Sequence, residues 1–442
     1  MSVFPKEINY KSAISLPEGT QSNTIVASPI NGQTFGPSQI IQFDLVQRGF
    51  MVPESLYIRY RLTTTMPAAA GASNALRGTP VYTPFARLET IVGSQVVESI
   101  QNYNQLCNML VNCKMNYAQK VGLANSFGYS AAASAVSYGF DFSTNCANGL
   151  SFATSTTANA ATTGGNVSLA APLGCLLSNA DHLVPLKFLP SCRIQLSLET
   201  LANAYRLDGV NPISAYLLSN VELCYDIIEF SPFVDQAISA MGQGSITIRS
   251  QSYLSSGVTV PSGTSGSTEY LFNQRLASIK SLFAHLSGAD NNKANLFFDS
   301  VDITTNNGDY QFFVSGLPYP PRPISTVLNK ASASMELSMA FGPAHDLLTS
   351  NFAINPTEFN YTIATGSQTT IQQMGKFYIG TNTEKLSTNA ALLTGISSQG
   401  SPISLRVSTS TATGANAVIQ LICLYDALLK IDIPSRTLVV LQ

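Results

Sequence analysis

The chain has 442 residues and a net charge of −2, and only 11% of its residues are charged, against about 25% in a usual globular protein. Residues 1–40 hold only Lys6, Lys11 and two acids, so no clustered basic arm offers phosphate neutralisation, which argues against direct sequence-specific nucleic-acid binding. No uncharged apolar run approaches the 18 residues of a spanning helix, residues 1–7 lack a secretory apolar core, and seven cysteines without a Cys-x-x-Cys pair argue against a disulfide framework or zinc site and for a reducing compartment.

Along the chain, alternation dominates. Residues 56–62 (Leu-Tyr-Ile-Arg-Tyr-Arg-Leu) are predicted to form a strand with one wet face. Residues 101–122 place Tyr103, Leu106, Cys107, Leu110, Tyr117 and Val121 mostly at three-, four- and seven-residue spacing, which predicts a helix. Residues 123–181 are almost uncharged and rich in Ala, Ser, Thr and Gly, and are expected to be a long exposed loop insertion. Their aromatics (Phe127, Tyr129, Tyr138, Phe140, Phe142, Phe152) suggest a folded excursion. Residues 194–198 alternate, and 221–230 read as a core strand covered on both faces. A domain boundary is expected within 231–244, dividing the chain into 1–232 and 233–442. In the second part, 246–249 and 403–407 alternate, 332–341 read as a helix stopping at Gly342-Pro343, and 418–433 are continuously apolar. Short strands separated by Gly, Pro, Asn and Ser clusters are the pattern of a sandwich.

The two parts resemble each other. Leu223-Cys224-Tyr225-Asp226-Ile227-Ile228 recurs as Cys423-Leu424-Tyr425-Asp426-Ala427-Leu428, 200 residues later, each copy followed by a proline, Pro232 or Pro434. Residues 46–48 match 273–275 and 56–58 match 282–284, at offsets of 227 and 226; 91–93 match 314–316 at 223, and 194–198 match 403–407 at 209. The offset falls and never rises, as it does when a duplicated domain gains loop residues late in its first copy. A strand-then-helix order recurs in both halves.

Residues for chemistry are scarce. None of His182, His285 and His345 has a second His or Cys at ligand spacing, and His345-Asp346 are mere neighbours. Gly375-Lys376 is followed by Phe377 and is no phosphate loop. The sequons at Asn166 and Asn360 are expected by chance, and Glu384, Asp426 and Asp432 read as turn or edge residues. No catalytic, cofactor-binding or metal residue is assigned, and the chain is not expected to be an enzyme.

Several segments carry a resemblance: residues 377–384 (Phe-Tyr-Ile-Gly-Thr-Asn-Thr-Glu), Gly395-Ile396, the 403–407 strand and the Tyr425-Asp426 strand. Upstream, 313–320 (Phe-Val-Ser-Gly-Leu-Pro-Tyr-Pro) and 184–188 (Val-Pro-Leu-Lys-Phe) belong with them. Together they resemble double jelly-roll major capsid proteins of tailless icosahedral double-stranded DNA viruses and their relatives. The resemblance implies an all-β chain of two tandem eight-stranded jelly-roll sandwiches, with short helices in the connections. It also implies three chains per pseudo-hexagonal capsomer, 123–181 as a tower on the outer face, and an N-terminus facing the interior. Implied partners are further copies of the chain, minor capsid and penton proteins, and an internal membrane met through the N-terminus; the implied location is the virion shell, after synthesis in the host cytoplasm. The alternative is a secreted or surface β-rich adhesin or carbohydrate-binding protein, against which stand the missing signal core, the odd cysteine count and the absence of tryptophan.

Overall fold

A computed structural model describes residues 20–65, 75–128, 163–206, 213–241, 244–287, 308–342, 376–384, 393–410 and 417–441, with Ser300, Ala353, Ile354 and Phe359 between them. Sixteen strands form the framework. The first eight are β1 (Gln21–Ala27), β2 (Ile40–Leu45), β3 (Tyr57–Thr65), β4 (Phe85–Val92), β5 (Gln95–Gln101), β6 (Thr163–Pro172), β7 (Cys192–Leu198) and β8 (Ala215–Glu229). The second eight are β9 (Ser245–Val260), β10 (Gly266–Phe272), β11 (Ile279–Ser287), β12 (Gly308–Val314), β13 (Leu317–Ser325), β14 (Ile379–Asn382), β15 (Ile403–Thr409) and β16 (Ala417–Asp432). Three longer helices lie in connections: α1 (Tyr103–Lys114), α2 (Pro232–Met241) and α3 (Lys330–Phe341).

The first eight strands make two antiparallel sheets, ordered β1-β8-β3-β6 and β2-β7-β4-β5. The second eight repeat this with eight added to each number: β9-β16-β11-β14 and β10-β15-β12-β13. Each set is a jelly roll, and the chain is a double jelly roll. Among the described residues no strand pairing joins strands of 21–229 to strands of 245–441. Each sandwich is filled by alternating side chains. In β7, Cys192, Ile194, Leu196 and Leu198 are buried and the residues between them are half-exposed, the period-2 pattern of a strand with one covered face.

Tyr225 on β8 and Tyr425 on β16 occupy the same strand of the same sheet, both buried. The other sequence matches that lie in strands fall on equivalent ones, with registers shifted by one or two. Ile58 lies opposite Leu223 and Leu282 opposite Cys423, so the equivalent positions of β3 and β11 are 224 apart rather than 226. Val92 and Val314 open the equivalent hairpins 222 apart. Bulges interrupt the β11–β16 and β3–β8 pairings, between Ile279 and Ser281 and between Ser219 and Glu222.

Two expectations are corrected. Residues 123–181 are not one exposed loop. Residues 163–172 are the framework strand β6, paired along β3, and Leu173, Cys175, Leu176 and Leu177 are fully buried. The Gly, Ser and Ala of 163–172 hid the strand; residues 129–162 lie outside the described residues. Nor is 221–230 covered on both faces: Glu222, Asp226 and Ile228 are half-exposed. β16 matches the reading, with only Lys430 exposed along its length. The expected 101–122 helix is present but broken at Met115-Asn116, where α1 ends and a second helix, Tyr117–Gly122, begins.

Candidate assembly site: the seam between the rolls

Roll 1 (strands β1–β8) and roll 2 (β9–β16) meet along a polar seam. At its centre is Glu98 on β5, 3% exposed. Its carboxylate accepts hydrogen bonds from the Leu176 amide (2.8 and 2.9 Å to the two oxygens), from Thr90 Oγ1 (2.7 Å) and, across the seam, from Ser252 Oγ on β9. Burial pushes its pKa above the usual carboxylate range, opposed by the bonds from Ser252, Leu176 and Thr90. The segment after β6 then runs beside β9. Ser250 Oγ donates to the Leu176 carbonyl (2.5 Å), Asn179 Nδ2 to the Gln251 carbonyl (3.1 Å), and Asp181 N to the Arg249 carbonyl (2.9 Å), while Arg249 N returns a bond to Asp181 Oδ1 (3.1 Å).

Helix α1 completes the seam by lying on the outer face of the roll 2 sheet β9-β16-β11-β14. Asn102, just before it, donates to Gln420 Oε1 on β16 (3.2 Å), and Asn112 donates to the Tyr378 hydroxyl (3.4 Å). The Ala353 amide donates to the Cys113 carbonyl (2.7 Å), and Lys114 Nζ stands 5.5 Å from the Phe341 ring centroid. Nine of the twelve residues of α1 are buried, because one flank faces roll 1 and the other roll 2. His285 on β11 lies under these contacts. Gln420 is its strand partner and Tyr378 its edge-to-face ring neighbour at 5.8 Å.

The residues weighed for chemistry are scattered. His182 is exposed, its Nδ1 2.7 Å from Asp181 Oδ1; His285 is buried in the seam; His345 lies outside the described residues. Lys376 is buried in a bridge beside Ser300. Asp226 accepts from Thr24 Oγ1 (2.6 Å) on the edge strand. Asp426, by contrast, is fully buried and accepts from Ser278 Oγ and from the amide and hydroxyl of Thr394 (2.8–3.0 Å), so it ties loops together rather than standing at an edge. Among the described residues no group of three His, Cys, Asp or Glu could hold a metal. Six cysteines there are buried and unpaired, and burial pushes the thiols of Cys107, Cys175 and Cys192 up to about 12, which keeps them protonated and unreactive. Sequence reading missed Glu98 and the seam. A lone Glu in the alternating segment 95–101 carries no signal that its partner Ser252 sits 154 residues away.

The fold and seam define a class: a protein built from two equivalent jelly rolls joined edge to edge. No protein-family model and no curated protein sequence matches the chain, but solved structures do. The Faustovirus major capsid protein is 10% identical, with a TM-score of 0.60 over 96% of this chain and 92% of that one. The PBCV-1 virus capsid is 9% identical, with a TM-score of 0.59 over 95% and 97%. The mavirus major capsid protein is 10% identical, with a TM-score of 0.52 over 99% and 93%. At such identities the likeness is one of fold. Across its described residues the chain has the double jelly roll of these capsid structures.

Proposed function

We propose that this chain is a viral major capsid protein, with domains 1–232 and 233–442, and that three copies form a pseudo-hexagonal capsomer tiling an icosahedral shell. The observation that carries this reading is the repetition itself. Two rolls of identical strand order are joined side by side by the seam, so a threefold ring presents six similar units. Coverage above 90% of both chains in these three comparisons with capsid structures supports it, and a surface poor in charge limits desolvation costs where subunits meet. In this role the chain works by self-association and performs no catalysis. Light scattering of the purified protein should give three times the 47.1 kDa chain mass, and negative-stain images should show hexagonal outlines. A monomer that persists as concentration and salt rise would overturn the reading.

A further inference from the structure

The internal repeat allows one half of the molecule to be read from the other. On roll 2, the seat of α1 is formed by Tyr253, His285, Gln420 and Tyr378. The last three are at most 8% exposed, and Tyr253 is packed against the core beside Cys107 of α1. The strand registers identify the counterparts on roll 1. Val26 lies opposite Cys224 as Tyr253 lies opposite Leu424. Arg61 stands three residues along β3 from Ile58, as His285 stands three along β11 from Leu282. Ser168 precedes the partner of Tyr60 as Tyr378 precedes the partner of Ala284. The bulge at Ser219 and Asn220 takes the place of Gln420.

Every one of these roll 1 positions except Ser219, which is half-buried, is exposed, and Val26 is 48% exposed. Arg61, Ser168 and Asn220 line an open groove of about 440 Å³ on the outer face of sheet β1-β8-β3-β6. The edges follow the same rule. β9 is covered by Glu98 and the segment after β6, whereas its counterpart β1 has no buried residue. β5 is engaged through Glu98, whereas in its counterpart β13 only Ile324 is buried. Finally, Gln101 pairs with Arg87 as Ser325 pairs with Asp309, so the corner after β13 corresponds to the start of α1. That corner carries Val327 at 53% and Leu328 at 88% exposed, followed by Met335 of α3 at 47%.

We propose that in the capsomer the β13–α3 corner of one copy, led by Leu328, seats in the roll 1 groove of a second copy beside Arg61, Ser168 and Asn220, as α1 seats on roll 2 within the chain. This rests on the trimeric reading above and names its interface. The occupant is a second copy because that copy alone repeats a contact already made inside the chain. Leu328 and Val327 bury against the alkyl stems of Arg59 and Arg61, and the β13 edge lies along the β1 edge.

The test uses the full chain. Leu328→Cys combined with Asn220→Cys should give covalent trimers on a non-reducing gel after mild oxidation. Leu328→Asp should raise the concentration at which trimers dissociate by on the order of tenfold or more, as expected for a central apolar anchor, with an unchanged circular dichroism spectrum. Leu271→Asp, at a position 61% exposed on the outer face of the other roll 2 sheet, should leave trimers intact. Trimers that tolerate Leu328→Asp and do not cross-link would overturn this interface and leave the trimer standing, whereas a wild-type monomer at every concentration would overturn both. A cross-link confined to one chain would overturn it as well, as would a thiol introduced by Asn220→Cys that is shielded from thiol reagents in monomers because another part of the same chain fills the groove.

Discussion

Lowering the pH from 7 to 5 should weaken the fold through one residue, His285. Its imidazole is 5% exposed and neither ring nitrogen has a hydrogen-bond partner among the described residues. Burial pushes its pKa from the ordinary 6.5 down to about 4. In the unfolded chain the ring takes up a proton near pH 6.5; in the seam, under α1 and against Tyr378, it stays neutral until about pH 4. Between those values the unfolded state binds more protons, so stability rises with pH across the window. The contribution is intact above about pH 6.5 and is lost as pH falls toward 4. At about 1.4 kcal/mol per pKa unit, the whole window is worth about 3 kcal/mol and the step from pH 7 to 5 about 2 kcal/mol. His285→Leu removes the titrating group and keeps most of its volume. Urea unfolding of both proteins at pH 7 and pH 5 should show the wild type losing about 2 kcal/mol more than the variant, since His182 and every carboxylate are common to both. Hydrogen exchange at the imidazole carbon, followed by mass spectrometry, reads the pKa directly. Equal pH dependence in the two proteins, or a His285 ring titrating near 6.5, would refute the reasoning.

Further outcomes follow from the two cores and the seam. Tyr225→Ala and Tyr425→Ala should each cost about 3–5 kcal/mol as large core truncations and should be nearly additive in the double variant, because the rings fill different rolls; strong coupling in thermal or urea unfolding would contradict separate cores. Glu98→Ala leaves the Leu176 amide and the Ser252 and Thr90 hydroxyls without their acceptor, at about 1–3 kcal/mol for each buried donor that stays unpaired. Proteolysis within 230–244 should therefore quicken in this variant, and an unchanged cleavage rate would show that the seam does not depend on Glu98. Gly380→Ala places a methyl 3.0 Å from Leu337 Cδ1 and 3.1 Å from Phe283 Cδ1, so these side chains must give by a few tenths of an ångström between α3 and β14 and the melting temperature should fall by an amount equivalent to about 1–3 kcal/mol; no fall would mean that α3 is loosely packed.

The fold was legible where burial follows a short period. β7 and β15 announce themselves by alternation, β16 by a run of apolar residues, and the Tyr-Asp pairs fix its counterpart β8. Registers were not legible to the residue, because bulges such as that between Ile279 and Ser281 leave no mark in composition. β6 was lost inside 123–181 because an edge strand made of Gly, Asn, Val, Ser and Ala reads as a loop until its partner β3 is known. The seam was invisible for a related reason. Glu98, Ser252, Asn102 and Gln420 are ordinary polar residues, and what sets them apart is burial against elements distant in sequence. The paired Asp residues illustrate the limit of the repeat. Asp226 and Asp426 align in sequence, yet one serves an edge strand and the other anchors Ser278 and Thr394 in a closed interior.

Fusing the two rolls has a thermodynamic consequence for the proposed ring. Six rolls in a closed ring make six lateral contacts. With two rolls per chain, three of these are the seam, formed as each chain folds and held by Glu98, α1 and the segment after β6. Association then loses translational and rotational freedom for three bodies rather than six, at an estimated 4–15 kcal/mol for each association step avoided. The remaining three contacts can be comparatively weak and still close, which suits the chemistry of the exposed faces. The covered seat on roll 2 holds a neutral imidazole where the open seat on roll 1 holds a hydrated arginine, so the internal contact is committed during folding while its counterpart stays soluble until a second copy arrives.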